Sequence, residues 1–141
     1  MAEPLIIKSV NGAGRLEIAA VESGASSRRL DYLLVTVKSE ALFASARIYN
    51  NHYAEGVEGL PRFFENLAAN WRGWQGAKRW ESLEGDFKLA CVSDGLGHVE
   101  IRIELSSIIT DPVEWDVRCS LIVEAGQLDS IAEDFRKFFS L

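Results

Sequence analysis

Three tryptophans and three carboxylates crowd one stretch of the chain, Trp71 to Asp86. A tryptophan is costly to leave in water, so it marks either a core edge or a surface that meets a partner. Trp71 continues the apolar stripe of a helix and is expected in the core. Trp74 and Trp80 fall beyond that stripe, among glycines, and are the binding candidates. Glu81, Glu84 and Asp86 follow within six residues. Paired carboxylates can perform acid–base or glycosidic chemistry, and in an extended segment Glu84 and Asp86 share one face. No partner group is defined for them, however, and an ordinary acidic loop has the same composition.

His98 follows the turn Asp94-Gly95-Leu96-Gly97 and lies on the polar side of a strand; His52 is the other histidine of the chain. Metal sites want clustered His or Cys ligands at short spacings, which this pair does not provide, so no metal and no cofactor is expected. Gly95-Leu96-Gly97 lacks the Lys-Ser/Thr and the helix of a phosphate loop. There is no G-x-S-x-G. Cys91 and Cys119 sit in apolar, strand-like patterns, where burial would raise rather than lower a thiol pKa. They are expected to be reduced and unbonded. The candidate binding set is therefore Trp74, Trp80, Glu81, Glu84, Asp86 and His98, with no catalytic residue assigned.

The elements that must carry these residues follow from periodicity. Pro4 to Val10 and Arg15 to Val21 read as a strand pair around the turn Asn11–Gly14. Asp31 to Ser39 is apolar on both faces, which predicts a central strand covered on both sides or nearly so. Leu42 to Tyr49 alternates beside it. Leu60, Phe63, Phe64, Leu67, Ala68 and Trp71 form a helical stripe opened by Pro61 and closed by Gly73 and Gly76. Asp86 to Val92, His98 to Leu105 and Trp115 to Val123 alternate as three more strands, and a last helix starts near Leu128 with Ile131, Phe135 and Phe138 inward. The order ββββ-α-βββ-α predicts one α+β domain over residues 1–141: a mostly antiparallel sheet with two helices packed on one face. No repeat period is visible.

At 141 residues the chain can bury about two-thirds of its unfolded surface without staples. Its net charge of −6 is uneven: residues 81–141 hold 13 acids against 5 bases, whereas residues 1–80 hold 8 against 10. Such a balance disfavours nucleic acid and favours a protein partner with a basic surface. A homodimer is compatible with it. The N-terminus has no leader pattern and no apolar run reaches about 18 residues, so a cytoplasmic location and no membrane contact are expected.

The run Trp71-Arg72-Gly73-Trp74, Trp80-Glu81-Ser82-Leu83-Glu84-Gly85-Asp86 and Gly97-His98-Val99, with Trp115 and Glu124-Ala125-Gly126, resembles an uncharacterised family of small bacterial single-domain proteins. That resemblance spans essentially the whole chain and implies a bacterial cytosolic protein; it implies no activity and transfers no site. Size and acidity also resemble immunity proteins, which act by binding. Two readings result. One is a non-catalytic protein-binding module, immunity-like in kind. The alternative is a small enzyme or ligand-binding protein with a Trp-lined cleft near Trp74, Trp80, Glu84 and His98.

Overall fold

A computed structural model describes residues 3–21, 32–50, 57–107 and 113–140. Among them, eight strands and two helices run in the order ββββ-α-ββββ-α: β1 (Leu5–Lys8), β2 (Arg15–Val21), β3 (Tyr32–Lys38), β4 (Phe43–Tyr49), α1 (Leu60–Ala69), β5 (Ala77–Glu81), β6 (Phe87–Ser93), β7 (His98–Ser106), β8 (Asp116–Glu124) and α2 (Leu128–Phe139). The α+β class and antiparallel pairing are as expected. Two features differ. The strands form two four-stranded sheets, β1-β2-β3-β4 and β5-β6-β7-β8, instead of one. The added strand, β5, has only one large apolar residue, Trp80, so alternation does not betray it. As an edge strand it pairs with β6 alone and leaves its polar residues in water.

The chain thus contains the same unit, ββββα, twice, and each helix is preceded by a 3₁₀ turn, Val57–Gly59 and Ala125–Gln127. This duplication of architecture has no visible counterpart as a sequence repeat. Physically, a meander of four strands followed by a helix asks only for alternation, turns and one stripe, and many sequences meet that.

Strand alternation places Leu16, Ile18, Leu33, Val35, Val37 and Ile48 on the buried face of the first sheet. Phe87, Leu89, Cys91, Val99, Ile101, Ile103, Leu105, Leu121 and Val123 do the same for the second. Both faces feed one core with the helices. The sheets also meet at an edge: the Val10 N–H donates to the Ile122 carbonyl at 2.8 Å, and the Ile122 N–H donates to Ser9 Oγ at 3.0 Å. The helices touch each other through Phe64 and Phe135, whose rings stack 4.4 Å apart and 9° from parallel.

Helix α1 is shorter than its stripe suggested. It ends at Ala69, where the Asn70 side chain bonds back to the Asn66 carbonyl at 2.8 Å. Trp71 therefore leaves the stripe and is 54% exposed, with the Arg72 guanidinium 5.2 Å over its ring, so it is not a core residue. Helix α2 is fixed at its start by reciprocal capping around the preceding turn, including a 2.8 Å bond from the Glu124 N–H to Gln127 Oε1. Arg136 and Lys137 in its last turn complement the helix dipole. Among the described residues, no helix is long and apolar enough to cross a membrane.

The expectation that β3 is covered on both sides is corrected by the first sheet. Its inward face is buried, but Leu34 on the other face is 37% exposed and Tyr32 is half-buried. Only Thr36, bonded to Ser45 at 2.9 Å, is buried on that side. The outer face of this sheet is open.

Candidate functional site

The six residues nominated by sequence do not converge. Trp74 lies just past α1, half-buried against the core, and its indole Nε1–H donates to the Cys91 carbonyl at 3.0 Å. Trp80 sits on the inward side of β5, opposite Leu89, edge-on to Phe87 at 5.4 Å. Both rings seal the rim of the core, and each has an internal partner. Glu81 points the other way, opposite Lys88 on the outer face of the second sheet.

His98 belongs to the β6–β7 hairpin. Asp94 Oδ1 accepts the backbone N–H groups of Leu96 at 2.7 Å and His98 at 3.0 Å, and Asp94 Oδ2 lies 3.1 Å from His98 Nδ1. Those backbone bonds, Leu96 first, hold the Asp94 carboxyl below its ordinary value. Gly95 and Gly97 supply the positive φ of 73° and 97° that this turn requires. Trp74, Trp80 and His98 are thereby accounted for by local structure, while Glu81 stays on the exposed outer face.

Glu84 and Asp86 are placed differently. The β5–β6 turn is held by Ser82, whose hydroxyl donates to Asp86 Oδ1 at 2.6 Å and accepts the Phe87 N–H at 3.1 Å. The Ser82 N–H donates to the Phe87 carbonyl at 2.8 Å, and the Asp86 carbonyl accepts the Ser106 N–H at 2.9 Å. Asp86 is buried and ties the turn to the end of β7, while Glu84 stays exposed at its tip.

This turn forms one wall of a half-open cleft of about 940 Å³ between the first sheet and the end of the second. Tyr32, Leu34 and Tyr49 come from the open face of β3 and β4, with the two tyrosine rings edge-to-face at 5.5 Å. Facing them are Glu84, Asp86, Glu114 and Trp115. The Trp115 carbonyl accepts the Ser107 N–H at 3.0 Å, which anchors that wall. The Arg47 guanidinium lies 5.0 Å over the Tyr32 ring, inside the same cleft. Aromatic faces beside carboxylates are a setting that attracts guanidinium and ammonium groups, and Arg47 already uses one of the rings that way.

Sequence reading found two residues of this cleft, Glu84 and Asp86, and missed Tyr32, Arg47, Tyr49, Glu114 and Trp115. A signal existed. β3 is apolar on both faces, and only a covering layer or a binding surface explains the second face.

A second depression, about 790 Å³, lies along the outer face of β5 to β8. Its charges are mixed and partly paired across and along strands, with Arg102–Glu100 at 2.7 Å and Arg118–Glu104 at 3.3 Å, while Arg79, Glu81 and Lys88 make no ion pair among the described residues. This is a solvated face of the kind the Arg/Glu alternation predicts. Cys91 and Cys119 are unbonded, as expected; burial pushes the Cys91 thiol up to about 12 and raises Cys119 as well. Among the described residues, no group of three or more His, Cys, Asp or Glu side chains could hold a metal ion.

Fold and cleft together define a single-domain α+β protein: two antiparallel four-stranded meanders, a helix pair closing the core, and an aromatic, acid-walled cleft between the sheets. The chain belongs to DUF6228, a family of unknown function whose model matches residues 9–141. No curated protein matches it, and no solved structure matches it.

Proposed function

We propose that this protein is a non-catalytic binding module that captures a protein partner through a basic segment of that partner. The observation that carries the reading is the cleft, where, among the described residues, three carboxylates and Tyr32, Tyr49 and Trp115 stand against a single guanidinium, Arg47. The acid-rich second half would add long-range attraction to a basic surface. An immunity-like role, in which binding alone neutralises the partner, is the form of the proposal that suits this charge balance. Two unbonded cysteines suit a reducing, cytoplasmic setting.

Site-specific photo-crosslinking in the native host tests it. A crosslinker at Glu84 or Trp115 is expected to capture a discrete protein, and one at Arg102, on the outer face of the second sheet, to capture none. Equal or no yield from the three positions contradicts the proposal.

One observation supports a second reading. The cleft volume falls within the range of about 300–1,000 Å³ usual for small-ligand sites. A small cationic ligand bound between Trp115 and the tyrosines would leave crosslinking blank but quench Trp115 fluorescence on titration.

A further inference from the structure

We infer that the partner binds as an added β-strand, an extended basic segment pairing with the free edge of β4. This rests on the cleft being the binding surface and names how the surface is used.

Three of the four sheet edges are occupied or guarded. β1 is only four residues long, and β8 is bonded by Ser9 and Val10 where it approaches the first sheet. β5 carries Lys78 and Arg79, charges of the kind that discourage edge pairing. β4 comes close to β7 without a backbone hydrogen bond to it, and among the described residues it carries none of the other defences. Its seven residues contain no proline or glycine and a single charge, and its register against β3 is unbroken from Tyr49 to Phe43. Among the described residues, no backbone hydrogen bond leaves β4 on the side away from β3.

The cleft lies along this edge. Ser45, Arg47 and Tyr49 share the outer face with Thr36, Leu34 and Tyr32, whereas Ala46 pairs with Val35 on the buried face. Residues of both faces line the cleft, so it is fronted by the β4 edge itself and not by one face of the sheet. Strands pair at about 4.8 Å, and a single extended chain needs little more than that depth. Main-chain bonds to β4 would supply affinity regardless of sequence. Sequence preference would come from the opposite wall, where the exposed carboxylates of Glu84 and Glu114 face an incoming chain and Asp86 adds its charge from the turn. Arg47, the one cation of the cleft among the described residues, is held over Tyr32 and leaves those carboxylates available. The occupant that fits is therefore an extended protein segment with Lys or Arg at alternate positions.

The test is amide NMR of the full chain titrated with a nine-residue capped peptide alternating threonine and arginine. We expect shifts concentrated at 45–49 and slowed exchange of the β4 amides. The same peptide with glutamate for arginine should bind at least tenfold more weakly, and Glu84→Lys should weaken the arginine peptide by a similar factor. A peptide N-methylated at alternate residues, made in both phases, should lose at least tenfold in one phase, because one set of its N–H groups pairs with β4. Equal binding of both methylated peptides overturns strand addition while leaving the cleft as a binding site. So do shifts confined to the cleft walls away from β4, or no binding at millimolar peptide. Protection of β4 that grows with protein concentration and without peptide also overturns it, since the edge would then pair with a second copy of the chain. Strand addition by the peptide with no protein captured by crosslinking would instead fault the functional proposal.

Discussion

Asp86 and Glu84 are two residues apart and do different jobs. Asp86 is buried against Ser82, so Asp86→Ala leaves a buried hydroxyl without its acceptor and should cost about 1–3 kcal/mol in urea unfolding. Glu84 is exposed, and Glu84→Ala should change stability by no more than about 0.5 kcal/mol. A large stability loss at Glu84 would mean the turn is misassigned. Trp80→Ala belongs with Asp86: its ring packs on Phe87, and a loss of about 2–3 kcal/mol is expected, somewhat below that of a fully buried aromatic. The Asp94 carboxyl is held low by Leu96 and His98 N–H groups, so its contribution is complete above the usual carboxylate range near pH 4 and disappears as pH falls through its lowered value. The gap in urea midpoint between the wild type and Asp94→Asn should therefore shrink from pH 6 to pH 3; an unchanged gap would contradict the hairpin assignment. Native alkylation at pH 8 should label Cys119 well before Cys91, because Cys91 is buried and its thiol titrates only near 12. Mass spectrometry of partly labelled protein checks the order.

At the scale of elements, the stacked pair Phe64–Phe135 joins α1 to α2, alongside the 3.1 Å ion pair between Arg136 and Glu65. Truncating either phenylalanine to Ala should cost about 3–5 kcal/mol. The two losses should fall short of additive by about 0.5–1.5 kcal/mol in a double-mutant cycle, the worth of the ring contact itself. Strict additivity would show that the two rings do not touch. Elements with strong periodicity are legible in the sequence: β7, with Val99, Ile101, Ile103 and Leu105 alternating, and α2, with Ile131, Phe135 and Phe138 inward, lie where the pattern puts them. Trp71 and β5 are not legible in this way. A helical stripe continues in sequence past the point where the helix stops, because periodicity is blind to the Asn70 bond that ends α1. An edge strand such as Ala77–Glu81 keeps polar residues wet and carries little period. The cleft is only half legible for a related reason. Glu84 and Asp86 are neighbours in sequence, but Tyr32, Tyr49 and Trp115 reach them only through the packing of one meander against another, which local patterns do not encode.

For the whole molecule, the duplicated ββββα architecture produces an asymmetry that the binding proposal uses. One sheet shows water a mixed-charge face that is partly paired, through Arg102–Glu100 and Arg118–Glu104. The other carries the ion pairs of Glu17 with Arg15 and Lys38, each at 2.9 Å, together with Tyr32, Tyr49 and a 69% exposed Phe43, beside the edge strand β4. On the proposal above, this is the surface that the partner covers. The most direct measurement is hydrogen exchange of the full-length protein, alone and with the partner recovered by crosslinking. The account predicts added protection in 43–49, 82–86 and 113–117, with no change in α1, α2 or the hairpin at 94–98. Protection of the outer face of β5 to β8, with 43–49 unaffected, would contradict it.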